Sequence, residues 1–222
     1  MTAPGPLGLM GGTFDPVHFG HLRLAEEAVE QLGLAQVRWI PSANPGHRTA
    51  PRTPGLHRLE MVKRAIARNP RFALDETEAL ATGPQFTIDT LERLRRELGP
   101  EVPLVFIIGA DQLHRLDTWR AWRDLFAQAH LAIGERPGFS MTHDVLPSAV
   151  ADECARRAAT TEALSGAPAG GVVTFQMTML AISASDIRKR LARGASARYL
   201  LPADVLAYIA AKGLYTEEHS AP

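Results

Sequence analysis

The stretch Gly11-Gly12-Thr13-Phe14-Asp15-Pro16-Val17-His18-Phe19-Gly20-His21 limits what this chain can fold into more than any other. Leu7 to Met10, just before it, is a short apolar run of the kind a buried strand shows. After it, Leu22, Leu24, Ala25, Ala28, Val29 and Leu32 recur at helical spacing, with Arg23, Glu26, Glu27 and Glu30 on the other face. Strand, glycine pair, short loop and helix together make a phosphate-binding geometry. The glycines let the backbone turn sharply and approach a ligand closely. The helix start presents unpaired N–H groups and the positive end of its dipole.

Three readings compete for His18 and His21. A strand followed by two glycines is commonly just a turn, but a turn does not require two histidines. Two histidines three residues apart lie on one helical face and could bind a metal. Catalytic zinc sites typically use three protein ligands, however, and no glutamate sits between the histidines as in the HExxH pattern. The one cysteine, Cys154, lies in an unrelated polar stretch. Phosphate contact is the reading that the combination favours, with no protein metal site expected.

Of 222 residues, 45% are hydrophobic and 22% charged, and 24 basic side chains balance 24 acidic ones. That balance gives no electrostatic footprint for nucleic acid or an anionic membrane surface. A single cysteine excludes an internal disulfide framework and fits a reducing compartment. Met1 to Pro6 lacks a basic and then apolar leader pattern, and no apolar run approaches transmembrane length. A soluble cytoplasmic protein is expected.

Val37 to Ile40 reads as a second strand, completing a parallel βαβ unit with a right-handed crossover. Pro41 to Gly55 has no periodicity. It is either a plain surface connection or a functional loop at the sheet's carboxyl edge, where open α/β sheets bind ligands. A helix is expected from about Gly55 to Asn69 and a short strand at Phe72 to Leu74. Asp75, Glu76 and Glu78 read as a solvated acidic edge. A helix follows from Phe86 to about Gly99, with Thr87 at its start as either a cap or a ligand contact.

Leu104 to Ile108 is apolar at every position, as a central strand covered on both faces should be. It ends in Gly109-Ala110-Asp111, where Asp111 could accept from a ribose or base, or cap the next helix. Trp119 and Trp122 flank a short amphipathic helix with Leu125 and Phe126, one tryptophan suited to the core and the other to stacking on a planar ligand. Leu131 to Ile133 is a fifth strand, with Arg136 placed beyond it for an anion. A helix is expected at about 149–164, and Val172 to Phe175 as a sixth strand. Ser183 and Asp186 then form a capping-box pattern. Arg188, read as lying in the first turn where the dipole disfavours a cation, points to a bound anion. Pro202 opens a last helix and Gly213 follows it. No repeat or long polar linker divides the chain. It reads as one domain over 1–222, with a core of about 7–215 and a variable segment at 139–171. The fold class is α/β, a doubly wound, mostly parallel sheet with C-terminal helices packed on it.

Several motifs resemble those of the nucleotidyltransferase superfamily with the (H/T)xGH signature, here His18-Phe19-Gly20-His21, and the ISSTxIR signature, here Ile182 to Arg188. Within it, the chain resembles bacterial nicotinate-nucleotide adenylyltransferases. The discriminating pieces are the Gly-Gly-Thr-Phe-Asp-Pro run, Phe106 to Asp111, Thr118-Trp119, Arg136-Pro137-Gly138 and the closing Leu201-Pro202 to Gly213-Leu214-Tyr215. Three places depart from the family's pattern: Ala184 for a hydroxyl, Gly46 for the second proline of Pro-Pro-His, and Phe86 for tyrosine.

The resemblance implies a Rossmann-like nucleotidyltransferase fold and transfer of the adenylyl group of ATP to nicotinate mononucleotide. The products would be deamido-NAD and pyrophosphate, in NAD biosynthesis. It implies that His18, His21 and Arg188 are catalytic. Gly11, Gly12, Thr13, Phe14, Gly109, Asp111, Ser183 and Ser185 would bind ATP. His47, Arg48, Thr87, Trp119 and Arg136 would bind nicotinate mononucleotide. Mg²⁺ would arrive with ATP and keep mostly water and phosphate ligands. No nucleic acid or membrane partner is expected, and a homo-oligomer is compatible with the sequence. The alternatives are a related adenylyltransferase acting on nicotinamide mononucleotide or phosphopantetheine, and, further off, a non-catalytic nucleotide sensor or a zinc hydrolase.

Overall fold

The apolar run expected to be a central strand is one. In the computed structural model, β4 (Leu104–Gly109) lies between β1 (Leu7–Gly12) and β5 (His130–Glu135). Beyond β1 come β2 (Gln36–Pro41) and β3 (Phe72–Leu74), and beyond β5 comes β6 (Val172–Gln176). The order is β3-β2-β1-β4-β5-β6, and every pairing is parallel. The structure describes residues 5–46, 51, 53–135, 145–178 and 180–216.

The helices are α1 (Phe19–Leu32), α2 (Gly55–Ile66), α3 (Thr77–Leu80), α4 (Thr87–Leu98), α5 (Leu125–Gln128), α6 (Ser148–Arg156), α7 (Ala184–Ala192) and α8 (Ala203–Ala211). A 3₁₀ helix spans Ala110–Thr118. Because side chains alternate along a strand, β4 feeds two cores. Val105 and Ile107 join one with Ala25, Ala28, Met61 and Ile187. Leu104, Phe106 and Ile108 join another with Leu91, Leu113, Trp119 and Trp122. Each such fully buried side chain stabilises the fold by about 1.5–3 kcal/mol. The chain winds outward in opposite directions from β1 and β4. Their carboxyl ends therefore flank the switch point where a sheet of this kind leaves a crevice.

The structure corrects four sequence expectations. The helix expected over 149–164 ends at Arg156, because β6 claims the next backbone: Val172 N–H donates to Arg157 O (2.8 Å) and Ala159 N–H to Val172 O (2.9 Å). The acidic stretch after β3 is only partly a solvated edge: Glu76 is exposed and Glu78 half-buried. Asp75 is buried and accepts from Arg93 Nη2 at 2.8 Å and from Thr77 N–H at 3.0 Å. Burial pushes its carboxyl up, but these bonds outweigh that and hold it below the usual range. Both tryptophans are buried rather than one, while the short helix expected with Leu125 and Phe126 is α5, entered through a 3₁₀ turn at Trp122–Asp124. Arg188 lies one turn inside α7 rather than in its first turn.

Candidate active site

A cleft of about 930 Å³ opens at the carboxyl ends of β1 and β4. His18 occupies the cap position of α1 in extended conformation, so its ring faces the loop rather than the helix exterior. It is buried, and its Nδ1 has no hydrogen-bond partner among the described residues. The rings of His18 and His21 stack at 3.7 Å between centroids, 25° apart, and the His18 N–H donates to His21 Nδ1 at 3.3 Å. That bond leaves the proton of a neutral His21 on Nε2. Burial lowers His18 to about 4. Burial and then the neighbouring His18 push His21 well below its ordinary value. The pair is neutral at physiological pH, two imidazoles offering N–H donors rather than fixed charges.

Gly20 makes this stacking possible. A Cβ there would lie 3.0 Å from both Cε1 and Nδ1 of His18. The loop before α1 is equally constrained. Phe14 has φ 50°, a left-handed conformation costing a non-glycine residue about 1–3 kcal/mol. Its buried ring holds it there, tilted on Trp39 at 5.3 Å and edge-on to His21 at 5.2 Å.

The structure brings the two loaded stretches of the sequence to this one cleft. Gly11, Gly12, Thr13 and Phe14 line it from β1 and its loop, and Ser183, Ser185 and Arg188 from the start of α7. Ser183 caps α7 as its pattern suggests: its Oγ accepts from Asp186 N–H (3.1 Å) and donates to Asp186 Oδ2 (2.7 Å). Arg188 Nη1 donates to Asp15 O at 2.6 Å, fixing the arginine against the loop between β1 and α1. Thr87, Gly109, Asp111 and Trp119 line the cleft as well. Thr87 is not the cap of α4, since Phe86 holds that position, and Gly109 rather than Asp111 precedes the 3₁₀ helix. Trp119, packed edge-on to Phe106 at 6.4 Å, is at once core and wall. His47, Arg48 and Arg136 lie outside the described residues.

Sequence reasoning missed several lining or supporting groups. Glu78, Thr90, Ser42 and Gln85 make a polar wall: Thr90 Oγ1 donates to Glu78 Oε1, and Ser42 Oγ donates to Gln85 Oε1 at 3.1 Å. Burial raises the Glu78 carboxyl, and the hydroxyls of Thr90 and Ser42 only partly offset it. Gly46 and Phe86, two of the three departures from the family pattern, touch. The Gly46 N–H donates to Gln85 O at 2.8 Å, a bond proline cannot make, and a Cβ on Gly46 would lie 2.4 Å from the Phe86 ring. Arg58 and Tyr215 support the loop from behind. The signal for Arg58 was present, since it precedes Leu59, Met61 and Val62 on the apolar stripe of α2 where a solvated cation does not belong. Among the described residues there is no group of three or more His, Cys, Asp or Glu placed to hold a metal ion. No helix among them is long and apolar enough to cross a membrane.

Comparison with known proteins identifies the family and the fold. The cytidylyltransferase-like family model matches residues 9–190. A protein of Dechloromonas aromatica (strain RCB) named a probable nicotinate-nucleotide adenylyltransferase is 57% identical over 211 residues, covering 95% of this chain and 97% of that one. One of the same name from Halorhodospira halophila is 46% identical, covering 94% of each. The fold is also that of Plasmodium falciparum nicotinic acid mononucleotide adenylyltransferase complexed with NaAD. That likeness has a TM-score of 0.70 at 17% identity, over 95% of this chain and 97% of that one. The chain belongs to the nicotinate-nucleotide adenylyltransferase family of cytidylyltransferase-like proteins.

Proposed function

We infer that the chain transfers the adenylyl group of ATP to nicotinate mononucleotide, releasing pyrophosphate and forming the deamido dinucleotide. The observation that carries this reading is the convergence of the His18–His21 pair and the Ser183–Arg188 helix start on one cleft, in a chain 57% identical to a relative of that name. An acceptor phosphate oxygen bonds to the α-phosphorus, the bond to the bridging oxygen breaks, and pyrophosphate leaves. The attacking phosphate is already an anion, so no protein nucleophile or base is required. The work left to the protein is alignment of the reacting groups and stabilisation of charge on the phosphates.

On this reading His21, with Nε2–H as donor, meets the α-phosphate, and His18 lies beside it. Ser183, Ser185 and Arg188 hold the departing pyrophosphate, and Gly11 to Phe14 offer backbone N–H groups. Gly109 and Asp111 serve the adenosine half. Trp119 and Thr87 serve the pyridine nucleotide, joined by His47, Arg48 and Arg136. A divalent cation enters as part of the ATP substrate, Mg²⁺ on this proposal, with phosphate oxygens and water as its main ligands. The continuous six-stranded sheet supports taking 1–222 as one nucleotidyltransferase domain. A cytoplasmic location fits these soluble substrates.

The acceptor is tested by supplying ATP with nicotinate mononucleotide, nicotinamide mononucleotide or phosphopantetheine and measuring pyrophosphate. The highest kcat/KM is expected for nicotinate mononucleotide. Dominant turnover of phosphopantetheine would overturn the assignment.

A further inference from the structure

The geometry points to Arg58 as the positioning residue that aims the backbone of the phosphate loop at the nucleotide. The inference rests on reading the cleft as a triphosphate site and adds the group that prepares it. Arg58 is fully buried on α2. Among the described residues its guanidinium bonds only to backbone carbonyls: Nε donates to Thr53 O (3.0 Å), Nη1 to Thr13 O (2.7 Å) and to Ser42 O, and Nη2 to Ala43 O (2.7 Å). These four carbonyls belong to the loops after β1 and β2 and to the residue before the α2 cap. No carboxylate among the described residues is bonded to it. Burial pulls its pKa down, with Asp15 and then Tyr215 opposing the shift.

A buried cation without a bonded counter-ion costs several kcal/mol unless its donors are satisfied and its charge is put to use. Four of the five N–H groups of the planar fork serve the loops after β1 and β2, which lysine's point charge could not reproduce. A trans peptide holds its C=O and N–H antiparallel. The Thr13 carbonyl turned to Arg58 therefore directs the Phe14 N–H away from it. The other clamped peptides have spent or lack their N–H. Ala43 N–H donates to Glu78 O (3.3 Å), Asn44 N–H donates to Gln85 Oε1 (2.6 Å), and Pro54 has none. Among the described residues Phe14 N–H has no partner. It belongs to a residue lining the cleft in a left-handed conformation that does not hold itself. Arg58 thus sets one unspent backbone dipole toward bound phosphate and places a positive charge behind it.

The test is a titration of the ¹⁵N-labelled wild-type protein with inorganic pyrophosphate and with ATP, following the Phe14 amide. A saturable downfield shift of that proton is expected with both. Arg58→Lys, checked for folding by circular dichroism, should lose the shift and about a hundredfold in kcat, on the scale of a small misplacement of reacting groups. Its KM for nicotinate mononucleotide should stay within about threefold. A Phe14 amide that does not move while other resonances report ATP saturation overturns the inference, whether or not the variant folds. So does a folded Arg58→Lys with wild-type kcat and ATP affinity and only a lowered Tm, which is what a mere brace would give. A wild type that binds ATP but does not adenylylate nicotinate mononucleotide fails the proposed function instead.

Discussion

The Tyr215 hydroxyl donates a 2.6 Å hydrogen bond to Asp15 Oδ1, joining two buried residues 200 positions apart in sequence. Asp15 is also the residue whose carbonyl receives Arg188. The segment after α8 and the start of α7 therefore fasten the same loop. Burial raises the Tyr215 phenol far above its ordinary value, and Asp15 adds to this, so the hydroxyl keeps its proton and remains a donor. Removing it with Tyr215→Phe leaves a buried carboxyl group short of a partner. A loss of about 1–3 kcal/mol is expected in urea unfolding. An unchanged midpoint would mean that the bond contributes nothing.

Gly20→Ala should separate stability from activity. The new methyl favours helix in the first turn of α1 by up to about 1 kcal/mol. The same methyl, 3.0 Å from the His18 ring, must push that ring aside. Thermal stability is expected to hold or rise while kcat falls at least about tenfold. Full activity in this variant would show that the placement of His18 does not matter to turnover.

His21→Ala removes a donor whose direction is fixed by the His18 N–H. Loss of one oriented charge-stabilising donor lowers kcat by about 10²–10³. Single-turnover rates with saturating ATP are the measurement, and a rate within about threefold of wild type would take His21 out of the mechanism.

Acid should destabilise the fold before carboxylates titrate. The folded pKa of His18 is about 4 against 6.5 when free. The stability that neutral His18 contributes is therefore complete above about 6.5 and drains away as pH falls toward 4, to a limit of roughly 3 kcal/mol. His21 and His130 are lowered too and act in the same direction. Urea midpoints should decline across this window, less steeply in His18→Gln. Identical slopes in the two proteins would refute the assignment.

Trp119→Phe should raise KM for nicotinate mononucleotide and leave KM for ATP alone, because a smaller ring still fills the core beside Phe106 but offers less stacking surface. The loss expected of an aromatic pair is about 0.5–1.5 kcal/mol. Equal changes in both KM values would argue for a displaced wall rather than a lost contact.

The elements that periodicity or unbroken apolarity marks were legible in the sequence. The run 104–108, the strands at 37–40 and 72–74 and the helix after His21 all stand near where their patterns put them. The capping box at Ser183 was legible for the same reason, since its partners are three residues apart. What sequence could not show were contacts between distant segments. Asp75 reads as solvated until Arg93, eighteen residues on, folds over it. The end of α6 is set by β6, which the helix cannot foresee. The role of Arg58 needs the loops after β1 and β2 to be in place at once. Ser183, Arg188 and the two histidines were legible individually as anion-binding types, and only the fold brings them to one cleft.

The contact between Gly46 and Phe86 limits which residues these two positions can hold together. Proline at 46 would forfeit the N–H bond to Gln85 and collide with a ring that Arg120 already covers, its guanidinium carbon 4.0 Å from the ring centroid. The two positions thus form an epistatic pair. Proline at residue 46 alone is penalised until the ring at 86 or its neighbour moves, so one aromatic ring couples what the two positions can hold.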